Sequence, residues 1–459
     1  MTDTHDTDRE EPPGTADRGL SPATNGGNGP TATSERGDRH RQTGAKRRDR
    51  PDVVLVTVDA WRYDAPDLMG EFRDLAAREG YDRSEAITGS AATHGAFPPL
   101  LASQHLVSAY GPDGGVRDGV TTLPEVLAEH GYATGGFVAS NPFLAKWVPY
   151  FDRFWNDGMT DSVEYSGARY STFDRAQRFL RLRQRVTARE VADRAQRWYR
   201  TRESPRFLWL HLMDVHGPYF PGLRGARKVG LAETYRTLFD YHVRGDSSPE
   251  VLASLRTLYE QCVARLDARL ASVLDVFGPE TVVVVTGDHG EEFDHGFHGH
   301  AQLYDECVRT PFFARNLEGP IADSTVRHLD LAPSVLETLG IAAPSDWEGR
   351  PVDGSPRTAV MCNHAPLLDR TFVGVRTDRY KFVKSFDDER WTVENRELYD
   401  LRTDPGERRP VDAPAVASDL EATVDAFLDR GDVDLGVIRE TNTGIDGDVE
   451  DRLEELGYV

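Results

Sequence analysis

A chain of 459 residues with 39% apolar content has enough material for one large domain and a smaller one, which excludes a small, stapled scaffold. Its formal charge of −22 disfavours a nucleic-acid-binding body, and three cysteines standing far apart without a CxxC pair (Cys262, Cys307, Cys362) argue against a disulfide framework or a thiolate metal site and fit a reducing compartment. No run approaches the roughly 18 apolar residues that span a bilayer and the N-terminus lacks a signal peptide's apolar core, so the expectation is a cytoplasmic protein with no membrane span.

Residues 1–50 carry nine Lys/Arg and nine Asp/Glu, so the acidic excess falls entirely within 51–459. They are dominated by Asp, Thr, Gly, Arg and Pro and bury too little to offset ordering entropy, which predicts a disordered segment ending in the solvated run KRRDR (46–50). Only five of the 54 basic residues are lysine, a balance that suits either solubility in concentrated salt or an arginine-rich genome.

From residue 51 the texture changes. PDVVLVTVDA is a short β-branched run that predicts a buried parallel strand ending at Asp59. TTLPEVLAEHGYAT (121–134) has amphipathic helical spacing with Gly131 as its stop, and GGFVAS follows as a strand. Residues 170–200 have helical periodicity, RFLWLHLMD (206–214) predicts another buried strand, 249–277 a helix, and ETVVVVTGDHG (280–290) the strongest strand of the chain. Such alternation predicts an α/β sandwich, a mostly parallel central sheet with helices on both faces. Beyond about residue 340, GVRTDRYKFV (374–383) and RELYDLRTDPGE (396–407) predict antiparallel strands in a small C-terminal subdomain, and DVEDRLEELGYV (448–459) an acidic helix. The expected division is therefore 1–50, a catalytic domain over 51–345, and a subdomain with tail over 346–459.

Functional groups collect past the carboxyl ends of strands in an open parallel sheet. Three strand ends carry them here: Asp59, then Asp214 with His216, then Asp288 with His289. A lone Asp after a strand is as often a turn former or cap, but adjacent Asp288 and His289 before a glycine form an oxygen and nitrogen set suited to Zn²⁺ or Mn²⁺. Residues 286–305 hold four histidines, His289, His295, His298 and His300, more than packing needs, and two or three are expected at the site.

These segments resemble the sulfatase family of the alkaline-phosphatase superfamily. VTVDAWRYD is similar to its opening strand with the metal aspartate, HLMDVHGPY to its HxPY-like segment, and TGDHGEE to its second metal segment. HAQLYDECVRTPFF, HLDLAPSVLETLG, VRTDRYKFV and ELYDLRTDPGE continue the likeness in collinear order over roughly 51–410. The family's CxPxR nucleophile segment corresponds to THGAFPPLLAS (93–103), which places Thr93 where the formylglycine-forming cysteine would stand and Ala96 and Phe97 where Ser and Arg would; Ala60 replaces a second metal aspartate.

The resemblance implies an alkaline-phosphatase-like fold and a divalent ion (Mn²⁺, Ca²⁺, Mg²⁺ or Zn²⁺) held by Asp59, Thr93, Asp288 and His289. Thr93 is the implied nucleophile, with His216 and His300 donating to the ester oxygens or protonating the leaving group, and Arg62 is a candidate to replace the missing arginine. The expected substrate is a sulfate or phosphate ester, with a glycan among the candidate alcohols. A sulfated threonine lacks the collapse to an aldehyde that releases sulfate from formylglycine, which favours phosphate. The rival readings are transfer of a phosphoglycerol- or phosphoethanolamine-type head group, and a binding protein that kept the fold and lost turnover.

Overall fold

The computed structural model describes residues 50–156, 179–184, 186–387, 390–431, 433 and 435–443. The disorder expected before residue 50 and the acidic helix expected at 448–459 lie outside them.

Strand β1 (Val53–Val58) is buried along its whole length, as a β-branched run between two parallel neighbours must be. It pairs in parallel with β5 (Arg206–Leu212) on one side and β6 (Val282–Gly287) on the other, Val53 standing opposite Phe207 and Val282. Outward from these lie β2 (Asp82–Ile87), β3 (Ala133–Val138), β4 (Arg153–Asn156), β7 (Arg309–Arg315) and β8 (Thr325–Arg327), in the order β4-β3-β5-β1-β6-β7-β2-β8. Only β7 runs against its neighbours, so the sheet is mostly parallel as expected.

Alternation along β1 feeds two cores. Val53 and Leu55 join Phe97, Leu100 and Leu101 on one face, while Val54, Val56 and Val58 join Leu258, Val263 and Leu266 on the other. Each such side chain contributes about 1.5–3 kcal/mol on burial. The second face is covered by α1 (Gly70–Arg78), α4 (Ala188–Thr201) and α5 (Pro249–Leu274), the first by α2 (Thr93–Ala102), α3 (Leu123–Glu129) and α6 (His328–Thr338).

Helix α3 lies within the 121–134 segment and stops just before Gly131, as the sequence suggested. A capping box starts it, with the Glu125 N–H donating to Thr122 Oγ1 (3.4 Å) and the Thr122 N–H to Glu125 Oε2 (3.2 Å), and Gly131 turns the chain at φ 88°. Ala133 and Thr134, just ahead of the GGFVAS run, already belong to β3.

A second sheet follows: β9 (Ala359–Ala365), β10 (Arg370–Arg376), β11 (Tyr380–Asp387) and β12 (Val393–Asp400), antiparallel throughout in the order β12-β11-β10-β9. Its Val373 and Phe382 share the core of the α2 face, so the subdomain is packed onto the sandwich. Fully buried Lys381 fixes the joint, its ammonium lying 2.5 Å from Asp305 and 2.7 Å from Glu407. Among the described residues no helix is long and apolar enough to cross a membrane.

Candidate active site

Three elements converge on one point. Asp59 leaves the carboxyl end of β1, Asp288 and His289 leave that of β6, and Thr93 is the first residue of α2. Thr93 Oγ1 lies 3.3 Å from Asp59 Oδ2, to which it donates, and 3.3 Å from His289 Nε2. His289 Nε2 stands 3.6 Å from Asp59 Oδ1 and 3.7 Å from Asp288 Oδ2. All four side chains are buried. Position at a helix N-terminus gives Thr93 a positive end of the peptide dipoles, suited to an anionic ester.

Local geometry aims each group. The His289 Nδ1–H donates to Gly290 O (2.8 Å), which leaves the Nε2 lone pair facing the carboxylates. Gly290 permits this: its N–H reaches Cys307 O at 2.6 Å, and a Cβ there would stand 2.0 Å from Glu306 O. Asp288 Oδ1 accepts from the N–H groups of His289 (2.8 Å) and Ala60 (3.3 Å). Ala60 sits at φ 55°, a left-handed conformation unfavourable for a residue with a Cβ.

Two groups near Asp59 were missed from sequence. The Asn141 amide donates to Asp59 Oδ2 (3.1 Å), as does His211 Nε2 (3.2 Å), with the Thr57 hydroxyl 2.9 Å from His211 Nδ1. The tautomer follows from this network: Nδ1 accepts from Thr57 and Nε2–H points to the carboxylate. Asn141 lies just past β3, so the strand-end rule could have found it. His211 sits inside β5, where a strand histidine carries no signal of its own.

The ligand atoms of Asp59, Asp288 and His289 all lie within 4.8 Å of one another, and Asp288 Oδ2 is buried with no hydrogen-bond partner among the described residues. Burial pushes the Asp59 carboxyl up, but nearby His216, His211 and His289 outweigh it and hold it well below the usual range. Burial and the facing Asp59 push Asp288 well above it, while burial and His300 lower His289 to about 4. Two buried carboxylates in mutual repulsion beside a neutral imidazole are a donor set that a divalent cation fits.

His216 and His300 flank this set. His216 donates Nδ1–H to Gly217 O (2.6 Å), and its Nε2 is 3.9 Å from Asp59 Oδ1. The His300 ring lies 4.5 Å from that of His289 and 5.8 Å from that of His216, centroid to centroid. Against the cost of burial, Glu291 raises the His300 pKa, while burial likewise opposes and His300 produces the lowering of Glu291 to about 2.

Other expected groups lie elsewhere. Asp214 turns away from the crevice to Arg269 (2.6 Å) and the N–H of Ala188 (2.5 Å), where it anchors the start of α4. His295 pairs with Glu306 (2.5 Å) and stacks on Tyr304, and His298 bridges Tyr219 and Tyr241. Arg62 does not replace the missing arginine: it is buried and bound to Asp64, Glu306 (2.7 Å) and Glu291 O (2.6 Å), so its donors are spent inside the protein.

A mostly parallel sheet between helical layers, with such a set at the strand ends and a separate antiparallel sheet, defines an alkaline-phosphatase-like α/β sandwich. The family model described as Sulfatase matches residues 51–341, more than half of the chain, which therefore belongs to the sulfatase family. An N-acetylglucosamine-6-O-sulfatase of Bacteroides thetaiotaomicron is 28% identical over 160 residues, 30% of this chain and 28% of that protein. An uncharacterised sulfatase of Escherichia coli, YidJ, is 30% identical over 195 residues, 38% of each chain. These matches span well under half of either curated relative. Among solved structures, a phosphonate monoester hydrolase from Silicibacter pomeroyi superposes with a TM-score of 0.59 at 17% identity, covering 86% of this chain and 96% of that one. A protein solved in complex with its substrate D-glucosamine-2-N,6-O-disulfate gives 0.56 at 16% identity, covering 88% and 99%.

Proposed function

We propose that this chain is a divalent-metal-dependent hydrolase of sulfate or phosphate esters with Thr93 as its nucleophile. The observation that carries the reading is the buried Thr93 hydroxyl, 3.3 Å from both Asp59 and His289 at the N-terminus of α2. Asp59, Asp288, His289 and Thr93 would hold the ion. When bound, it would supply positive charge that favours the Thr93 alkoxide and offsets the charge on the ester's non-bridging oxygens.

The rest belongs to the chain's own residues. Asp59 accepts the hydrogen bond of the Thr93 hydroxyl and so orients its lone pairs toward the crevice. With a phosphate ester, Thr93 passes its hydroxyl proton to Asp59, which accepts its hydrogen bond, and Oγ1 attacks phosphorus. The bond to the alcohol oxygen breaks, and the imidazolium form of His300 or His216 gives that oxygen its proton from Nε2. Water then attacks the phosphothreonine, releasing phosphate and restoring the hydroxyl. Threonine chemistry favours phosphate over sulfate, because attack by water is its sole route of release. The family of the chain and a relative named as a sugar 6-O-sulfatase support a sulfated or phosphorylated glycan as substrate.

The test is turnover of matched sulfate monoester, phosphate monoester and phosphate diester substrates in high salt with Mn²⁺ or Zn²⁺, comparing wild type with Thr93→Ala. The reading predicts turnover of at least one ester, lost in the variant. Equal turnover by wild type and variant refutes the assignment of Thr93.

A further inference from the structure

A hydrogen-bonded chain of side chains runs up to the candidate acid His300. Tyr241 Oη is 2.7 Å from His298 Nδ1, His298 Nε2 is 2.7 Å from Tyr219 Oη, Tyr219 Oη is 2.8 Å from Glu291 Oε2, and Glu291 Oε1 is 3.2 Å from His300 Nδ1. Its middle is sealed: Tyr219 is 1% and Glu291 2% exposed, and the rings of Tyr259 and Phe293 stand 5.6 Å and 6.0 Å from that of Tyr219.

Donor counting leaves one arrangement. A carboxylate only accepts, so the single hydrogen of Tyr219 goes to Glu291, and Tyr219 Oη must accept from His298 Nε2–H. His298 Nδ1 then accepts from the Tyr241 hydroxyl. At the other end Glu291 accepts from His300 Nδ1–H, which leaves Nε2 as the His300 nitrogen that meets a ligand.

We infer that Glu291, braced by Tyr219, His298 and Tyr241, is a positioning residue that fixes the tautomer and ring orientation of His300, so that Nε2 serves the bound ester. The inference rests on the role given to His300 above. Through Glu291 it links the HGPY segment to the histidine-rich loop, two stretches whose separate likeness to the family leaves their contact unexplained.

The experiment reads the ring nitrogens of His300 in long-range ¹H–¹⁵N spectra of the full chain, assigned by the signals lost in His300→Gln. Wild type is expected to keep a proton on Nδ1 in both its neutral and its imidazolium form, Nε2 being the nitrogen whose proton comes and goes. Glu291→Met, of similar length but without an acceptor, should give a tautomer mixture. In the same variant kcat should fall about ten- to a hundred-fold, the usual effect of losing an orienting partner, with KM changed less than about threefold. Tyr219→Phe keeps the ring and removes the brace, and should shift the same signals in the same direction by less. It carries the test alone if Glu291→Met does not fold. His300 signals unchanged in both folded variants, or a tautomer mixture already in wild type, would overturn the inference. The tautomer is read without turnover, so a wild type that hydrolyses no ester refutes the functional reading while leaving this one to the spectra.

Discussion

Asp59 is the most heavily supported side chain of the site, and its two neighbours Asn141 and His211 give the first prediction. If they orient a metal-ligating carboxylate, Asn141→Ala and His211→Ala should each weaken Mn²⁺ or Zn²⁺ binding about 10- to 100-fold by titration calorimetry. Unchanged affinity would show that neither orients a ligand. Ala60 bears on stability: at φ 55° its methyl is strained, so Ala60→Gly should raise the urea midpoint by the equivalent of about 1 kcal/mol at an unchanged slope. At this scale, Asp59, Asp288 and His289 were legible because each follows a strand that announces itself by its run of valines. Arg62 was misleading, because a sequence does not show that a guanidinium is already bound by Asp64 and Glu306.

Among the elements, helix α4 depends on a residue that sequence assigned to the site. Asp214 accepts from the first N–H of the helix and pairs with Arg269, whose side chain is partly exposed. Asp214→Ala should therefore cost about 3 kcal/mol, the low end for a buried pair with one wet partner, in urea unfolding, while leaving metal affinity unchanged. A loss of metal affinity with no loss of stability would restore it to the site. Most elements were readable from period and composition, although β3 begins two residues ahead of the GGFVAS run that announced it. The strand-end rule could not tell Asp214, which faces a helix, from His216, which faces the crevice, because direction after a strand is set by the loop's contacts.

For the whole molecule, charge governs stability. With a net charge of −22 that falls entirely within residues 51–459, added salt should raise the midpoint of unfolding by screening self-repulsion. Acid acts through particular carboxylates. Against the cost of burial, Lys381 and Arg376 hold Asp305 well below the usual range, and His105 and Arg430 do the same for Glu348. A lowered folded-state pKa stabilises fully above the unfolded value near 4 and loses that contribution as pH falls through the folded value, so unfolding should become easier below about pH 4, measured by urea midpoints across pH. The sandwich and the antiparallel sheet were both foreseeable from strand and helix alternation. Their union was not, since the buried Lys381 joint pairs residues from 76 to 26 positions away along the chain, and no local pattern encodes it.

The central claim is that Thr93 Oγ1 attacks the ester. Its most direct test is mass spectrometry of the metal-loaded protein quenched during turnover of a phosphate monoester, with peptides searched for added phosphate. The account predicts phosphate on Thr93 and its absence in Thr93→Ala. Turnover with phosphate on another residue, or with none on the protein at any quench time, would contradict it.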